Sequence, residues 1–146
     1  MKKEKEEIPL HYFERNLLIV ALFVVITSVF SYFTYKYFIL VHPLAFIFAV
    51  PAGIFAFQTL WLFLNPYAVI YEDKFEIKKS MLSNKFWYFI DIKQVSDVTK
   101  KGFDITYNDD EIESVSTFGI RNSHKQAFGD AVNKFVCKSL VVDRAD

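Results

Sequence analysis

The sequence predicts a membrane α-helical hairpin followed by an α+β cytosolic domain, an antiparallel sheet with a C-terminal helix packed on it. Three observations lead to this fold class. Two uncharged apolar runs occupy the first half of the chain, short alternating segments follow them, and an apolar stripe at helical spacing ends the chain. We therefore divide the chain into a cytosolic N-terminal flank (1–15), a transmembrane hairpin (16–65) and a cytosolic domain (66–146).

The two apolar runs are predicted to be transmembrane helices. They extend from Asn16 to Tyr35 and from Leu44 to Leu64, and neither contains Asp, Glu, Lys or Arg. A helix of about 20 apolar residues is long enough to cross the hydrocarbon core of a bilayer. Because His42 and Pro43 interrupt the chain between the runs, we expect two helices that form a hairpin.

Basic residues near the ends of the runs predict the orientation of the hairpin, because cytosolic flanks carry an excess of Lys and Arg. The short connection between the runs contains Lys36 as its only Lys or Arg. The outer flanks contain Lys2, Lys3, Lys5, Arg15, Lys74, Lys78 and Lys79. We expect both termini in the cytosol and a multi-pass protein of the inner (cytoplasmic) membrane, with the lipid bilayer as a partner.

Few polar side chains lie inside the predicted helices. Thr27 and Ser31 are four residues apart on one face of the first helix, and Gln58 and Thr59 lie in the cytosolic half of the second. Such groups either hydrogen-bond between helices or line a pore in an oligomer. The lack of charged residues in both runs argues against a proton-coupled transporter or pump.

The domain begins with segments that are predicted to be strands. They alternate between apolar and polar residues, or are rich in aromatic and β-branched residues. Acidic and Asn-containing turns separate some of them. The predicted strands are Tyr67–Glu72, Phe75–Lys79, Lys85–Ile92, Phe103–Tyr107 and Glu111–Ile120.

The last element is predicted to be an amphipathic helix. Ser123 and Gln126 match a capping box, in which two side chains satisfy backbone N–H groups at a helix start. Apolar residues then recur at spacings of three and four, which gives one stripe that must pack on the sheet. The stripe consists of Phe128, Ala131, Val132, Phe135 and Val136.

The stretch GIRNSHK, Gly119–Lys125, concentrates basic residues where this helix begins. A helix N-terminus carries positive partial charge, so cations there are locally unfavourable. One interpretation is an ordinary cap with solvated side chains. The other is a phosphate site, where backbone N–H groups and cations converge on one anion.

Three further residues extend this candidate site. Lys100 and Lys101 supply a second basic edge, and Trp87 offers a ring on which a base could stack, unless it belongs to the core. The complete set of candidate ligand-binding residues is Trp87, Lys100, Lys101, Arg121, Asn122, Ser123, His124 and Lys125.

Composition argues against several other function classes. The formal net charge is +0, so we expect no binding of duplex nucleic acid. Cys137 is the single cysteine, and the three histidines are dispersed, so we expect neither a metal site nor a cofactor. No nucleophile lies beside a base in a readable pattern, and we therefore predict a protein that is not an enzyme.

The stretch VIYEDKFEIKKSMLSNKFWYFIDIKQV, residues 69–95, resembles the opening of bacterial pleckstrin-homology-like domains attached to membrane helices. The shared order is strand, acidic turn, strand, turn, aromatic strand and then Asp91, Ile92 and Val95. FGI and AVNKFV near the C-terminus resemble the last strand and the helix of these domains. The resemblance covers about residues 66–138 and implies a binding or scaffolding role with no particular ligand. Domains of that family have seven strands, and the present sequence predicts fewer.

The plan of the whole chain, two spans and then a small cytosolic domain, is similar to a membrane-bound effector of type III CRISPR defence. In that family the soluble domain binds a cyclic oligoadenylate and acts through the membrane. This resemblance rests on topology and carries no binding residue to the present chain.

Two hypotheses follow. The first is a non-enzymatic, homo-oligomeric membrane sensor or effector, with a role in antiphage defence. Its cytosolic domain binds an anionic ligand, such as a cyclic oligonucleotide, and alters the packing of the helices. The alternative is a membrane-anchored pleckstrin-like scaffold or accessory subunit that binds a partner protein, for example by adding a strand at a sheet edge.

Overall fold

Two long helices form a hairpin in the computed structural model of the chain, which describes residues 8–142. Helix α1 is Leu17–Ile39 and helix α2 is Leu44–Leu64. The Asn16 side chain caps α1 by accepting a hydrogen bond from a backbone amide in its first turn. Both helices are long and apolar enough to cross a membrane. The basic residues Lys2, Lys3 and Lys5, used above to predict orientation, lie outside the described residues.

Aromatic rings and one pair of hydroxyl groups hold α1 against α2. Phe30 stacks on Phe55 with ring centroids 5.5 Å apart. The Oγ1 atoms of Thr27 and Thr59 lie 3.1 Å apart between the helices, and each hydroxyl also lies within donating distance of a carbonyl of its own helix. Only 6% of the most apolar window of each helix is buried, so both helices expose an extensive apolar surface.

Within the described residues, seven strands form two antiparallel sheets. The strand order is β1-β2-β3-β4 in the first sheet and β5-β6-β7 in the second. The coarse plan predicted from the sequence, two apolar helices and then an antiparallel sheet domain with a C-terminal helix, is confirmed. The strands are β1 (His11–Phe13), β2 (Ala68–Ile70), β3 (Lys74–Ser80), β4 (Ser83–Tyr88), β5 (Ile92–Val95), β6 (Gly102–Tyr107) and β7 (Ile112–Ser116).

Strand β1 precedes the helical hairpin yet belongs to the sheet domain. His11 lies opposite Ile70 and Phe13 lies opposite Ala68, so β1 pairs with β2 along its whole length. Phe13 is buried in the core of the domain. The domain therefore begins inside the segment that we expected to be a flank, and the hairpin is inserted between its first two strands.

The core of the domain is built around Phe75 of β3. Its ring stacks on Trp87 at 4.9 Å and meets the edge of Phe128 at 5.8 Å. Phe128 belongs to α3 (Lys125–Val142), which lies over β5 and the turn before it. The predicted apolar stripe of α3 is confirmed. Phe128, Val132 and Val136 are fully buried, and Ala131 and Phe135 pack against the core.

The segment predicted as one strand, Lys85–Ile92, is interrupted by a single turn of 3₁₀ helix at Phe89–Asp91. The Phe89 amide donates to the Asp73 carbonyl at 2.9 Å, and the Asp91 carbonyl accepts from the Asn108 amide at 3.1 Å. These bonds turn the chain from the first sheet to the second. Alternating hydrophobicity did not reveal the break because apolar side chains continue through the turn.

The predicted capping box of the last helix is not formed. Ser123 lies inside a 3₁₀ turn, and the Gln126 side chain donates to Asp130 at 3.1 Å. Arg121 has an extended ψ of 133° before this turn, and its amide donates to the Glu14 carbonyl at 3.0 Å. Backbone pairing between Arg121 and Glu14, just before α1, thus fixes the conformation of the chain where it enters α3. A local side-chain cap does not have this role.

We predict that Phe128→Ala lowers the free energy of unfolding by about 3–5 kcal/mol, because it removes a ring that fills the centre of the core. Thermal unfolding of the full chain in lipid nanodiscs measures the change. Phe118→Ala is the matched control, because Phe118 is exposed. Equal losses in the two variants would show that α3 does not seal the core.

Candidate functional site

Part of the predicted anion site comes together at the start of α3. Nζ of Lys125 donates to the carbonyl oxygen of Lys100 at 3.3 Å, which joins α3 to the loop between β5 and β6. The two lysines border a cavity of about 490 Å³. Its lining residues are Val98, Thr99, Lys100, Asn122, Lys125 and Gln126. This basic cavity is thus lined by two cations and several neutral hydrogen-bonding side chains.

Two other predicted members lie elsewhere. Lys101 lines a separate cavity of about 360 Å³ along β6 and β7. Trp87 is a core residue with 4% of its surface exposed. Phe75 stacks on its ring, and its Nε1–H donates to Glu113 at 3.1 Å. Trp87 therefore presents no free face on which a base could stack.

The remaining predicted members occupy the turn that leads into α3. Arg121 Nη1 contacts a carboxylate oxygen of Glu14 at 2.8 Å, so this cation already has a partner. Ser123 is exposed. Nδ1 of His124 is buried and makes no hydrogen bond. Only Lys100, Asn122 and Lys125 of the predicted set share the basic cavity.

The chain just before the basic cavity is bonded to the chain just before α1. The Asn16 amide donates to the Gly119 carbonyl at 2.8 Å, and the Arg121 amide donates to the Glu14 carbonyl at 3.0 Å. Arg15 and Ile120 form an antiparallel bridge between these two bonds. Residues 119–121 and 14–16 thus form a short paired segment, which we call the α1 clasp.

Arg15, in the α1 clasp, joins both helices to the sheet domain. Its Nη2 donates to the carbonyl oxygen of Lys78 in β3 at 2.6 Å. Its guanidinium lies 5.4 Å from the ring centre of Trp61 in α2 and 5.2 Å from that of Tyr67, just before β2. Arg15 is 6% exposed and makes no salt bridge with any carboxylate of the described residues.

Burial dominates the electrostatics of this junction. It lowers the pKa of the Arg15 guanidinium, although the neighbouring Tyr67 opposes this change. Burial likewise raises the pKa of the Tyr67 hydroxyl. A guanidinium remains charged at neutral pH even so, because its ordinary pKa is above about 12. The junction therefore holds a buried cation that is stabilised by two aromatic faces and one carbonyl oxygen.

Gly119 allows the α1 clasp to approach the Tyr67 ring. A Cβ atom at this position would lie 1.9 Å from Cε2 of Tyr67, well inside van der Waals contact. Tyr67 is itself buried, and its ring also contacts Arg15. A side chain at position 119 would therefore displace the ring on which Arg15 rests.

A polar cluster lies between the two sheets, outside the basic cavity. Glu113 of β7 accepts hydrogen bonds from Lys85 Nζ, from Trp87 Nε1–H and from the Tyr107 hydroxyl. Burial by itself would raise the pKa of Glu113, but these donors lower it below its usual value. Burial and the Glu113 carboxylate together raise the pKa of Tyr107 to about 12.

An acidic cavity of about 450 Å³ adjoins this cluster. Its lining residues are Asp91, Tyr107, Asn108, Asp109, Glu111 and Glu113. Across residues 8–142, no three His, Cys, Asp or Glu side chains are grouped so that they could hold a metal ion. The domain thus has a basic cavity at the start of α3 and an acidic cavity beside β7.

No protein-family model, curated protein or solved structure matches this chain.

The α1 clasp was missed because its halves are far apart in sequence. Glu14 and Arg121 are separated by 107 positions, and no periodic pattern connects them. Arg15 entered the sequence argument only as a flanking positive charge. The aromatic triplet His11–Phe13 just before a long apolar helix is the one local signal that could have indicated a strand there.

We predict that Arg15→Lys lowers the free energy of unfolding by about 2 kcal/mol or more. Lysine keeps the charge but lacks the planar fork that reaches the Lys78 carbonyl while lying against two rings. Unfolding of the full chain in nanodiscs measures the loss. Arg121→Lys, at an exposed ion pair, serves as the control and should change stability by less than about 1 kcal/mol. Equal effects would contradict the assigned role of Arg15.

We also predict that Tyr107 ionises well above the ordinary tyrosine pKa, near its raised value of about 12. Because the folded pKa lies above the unfolded one, its contribution to stability is complete below about pH 10 and is lost as pH rises toward 12. Ultraviolet titration of tyrosinate, compared between the protein and Tyr107→Phe, isolates this group. Glu113→Gln should lower its pKa, and an unchanged titration would refute the coupling.

Proposed function

We propose that the protein is a two-span membrane sensor whose sheet domain binds a small anionic ligand and transmits binding to α1. One observation carries the proposal. One half of the α1 clasp, residues 119–121, is followed directly by Asn122, which lines the basic cavity. The other half, residues 14–16, ends at Asn16, the cap of α1. A single hydrogen-bonded segment therefore separates the candidate ligand site from the start of a helix.

Insertion of the hairpin in the cytoplasmic membrane is the first part of the proposal. The exposed apolar surface of α1 and α2 would be unfavourable in water and is favourable in lipid. Lys74, Lys78 and Lys79 lie beyond α2, while only Lys36 marks the opposite end of the hairpin. This asymmetry supports a domain that faces the cytosol.

The second part is the class of ligand. Nζ of Lys125 and the exposed Lys100 supply positive charge, and Asn122 and Thr99 supply uncharged hydrogen-bonding groups. Phosphate groups suit this combination. A cavity of about 490 Å³ is in the size range of small-molecule sites. We propose a phosphate-bearing metabolite or nucleotide, with cyclic oligoadenylates as the class that the chain plan implies.

The third part is transmission. Arg121 precedes Asn122, which lines the cavity, and is paired with Glu14. A bound anion would compete with Glu14 for this guanidinium and weaken the α1 clasp. Ligand binding would then favour a second packing of the helices, provided that the ligand has a higher affinity for that state. In a homo-oligomer the altered packing would change membrane permeability or integrity.

A second candidate function is a membrane-anchored scaffold of the pleckstrin-like type. Seven strands in sheets of four and three, closed by a C-terminal helix, support this alternative. Among the described strands β7 pairs only with β6, so one of its edges is open. Ile112 on β7 is 70% exposed. Strand addition at this edge would be the means of binding a partner protein.

We predict that one phosphate-bearing compound raises the thermal stability of the full chain in nanodiscs. At about 100 times its dissociation constant a ligand stabilises the folded state by roughly 2.7 kcal/mol. The panel comprises inorganic phosphate, inositol phosphates, mononucleotides and cyclic oligoadenylates. Combined Lys100→Gln and Lys125→Gln substitutions should abolish the stabilisation. Lys93→Gln is the control, because Lys93 pairs with Asp110, outside the basic cavity.

Hydrogen exchange separates the sensor from the scaffold. Ligand binding should accelerate amide exchange at Asn16 and Arg121, whose N–H groups form the α1 clasp. A stabilising ligand that leaves these amides unchanged would contradict transmission through the clasp. Absence of stabilisation by the whole panel would instead favour the scaffold.

A further inference from the structure

The turn between β3 and β4 carries an exposed apolar tip. Ser80 lies opposite Ser83, so Met81 and Leu82 form the turn between them. Their side chains are 47% and 90% exposed. Neither belongs to the core of the domain. A water-facing turn normally carries polar residues, so this apolar pair requires another explanation.

Strand β3 runs alongside the last turns of α2. The Lys78 carbonyl accepts a hydrogen bond from Arg15, whose guanidinium lies over Trp61 of α2. Three residues later, the Met81 amide donates to Oε1 of Gln58 at 3.3 Å. Lys78 is linked to α2 at Trp61 through Arg15, and Met81 bonds α2 directly at Gln58, three residues earlier in the helix. The tip therefore points from the end of α2 toward its middle.

The position of Gln58 sets the depth of the tip. Gln58 precedes the last residue of α2, Leu64, by six positions, which corresponds to about 9 Å along a helix axis. The whole of α2 measures about 31 Å at 1.5 Å per residue, close to the roughly 30 Å of a hydrocarbon core. If α2 spans the membrane, its whole length is needed to cross the hydrocarbon core, so its last turns lie inside the lipid. The tip beside Gln58 then lies at the level of the acyl chains.

We propose that Met81 and Leu82 insert into the cytosolic leaflet of the phospholipid bilayer, as an anchor of the sheet domain in addition to the two helices. This inference rests on the proposed membrane insertion of the hairpin. Burial of two apolar side chains in lipid is favourable. Gln58 satisfies the Met81 amide, which would otherwise be costly to place there.

The residues around the tip fit a bilayer surface. Lys79 precedes the turn and is exposed, whereas Lys78 pairs with Glu76 and Lys85 pairs with Glu113. A long lysine side chain can bury its methylene stem and extend its ammonium group to a lipid phosphate. A short apolar pair next to an exposed lysine therefore matches the change from hydrocarbon to anionic head groups. This pattern favours lipid over a protein partner as the occupant.

Site-directed fluorescence in the full chain tests the inference. Cys137, the only cysteine, is exposed and can be replaced by Cys137→Ser. Leu82→Cys then accepts an environment-sensitive fluorophore in nanodiscs of phosphatidylcholine with a minority of phosphatidylglycerol. Ile112→Cys on the open edge of β7 is the exposed control. Ile54→Cys, an exposed position at the centre of α2, is the control for the span itself.

We expect the probe at position 82 to emit at shorter wavelength than at 112, with several-fold weaker quenching by iodide and strong quenching by acyl-chain nitroxide lipids. A probe at 82 as accessible to iodide as that at 112, with position 54 shielded, overturns the inference and leaves the span intact. Shielding at 82 from both quenchers indicates a second protein chain on the tip and also overturns it. Access of iodide to position 54 refutes the hairpin insertion on which the inference rests.

Discussion

The pairing of β1 with β2 is the constraint on which the rest of the molecule depends. These neighbouring strands lie on opposite sides of the hairpin in sequence, so both ends of the hairpin start from adjacent positions in one sheet. Only residues 14–16 connect β1 to α1, and only residues 65–67 connect α2 to β2. Neither helix can shift far without straining a connection to the sheet. The sheet domain is thus joined to both ends of the hairpin by short connections. Two long flexible linkers would not hold the helices in this way.

Arg15 shows how this base is held together. A buried cation without a carboxylate is costly, because the charge loses water and gains no opposite charge. Contacts with Trp61, Tyr67 and the Lys78 carbonyl offset part of this cost and depend on how the sheet sits against α2, while Nε is buried without a hydrogen-bond partner. An apolar side chain at this position could pack in many arrangements. We infer that the guanidinium contributes chiefly to a defined geometry at the junction.

Features that depend on local pattern were predictable from the sequence, and features that depend on distant pairing were not. The bounds of α2 follow from an uninterrupted apolar run, and the buried stripe of α3 follows from apolar residues at helical spacing. Both patterns are local and can be recognised without knowing which segment packs against them. Strand β1 has three residues, too few for a period, and is defined only by β2. Of the candidate site residues, Lys100, Asn122 and Lys125 line one cavity. Trp87 does not join them, because the alternation of β4 directs its ring into the core.

The contacts at the base also determine where ligand binding could act. The β1–α1 connection, the α2–β2 connection and the Gln58–Met81 hydrogen bond lie at three separate points around the hairpin. Three such points oppose tilting of the whole domain over the helices. The α1 clasp differs, because its ion pair, Glu14 with Arg121, is exposed. Exposed pairs contribute little stability, so in the proposed sensor an anion would displace Glu14 at small cost. We propose that the ligand signal loosens the start of α1 and leaves the contacts between α2 and β3 in place.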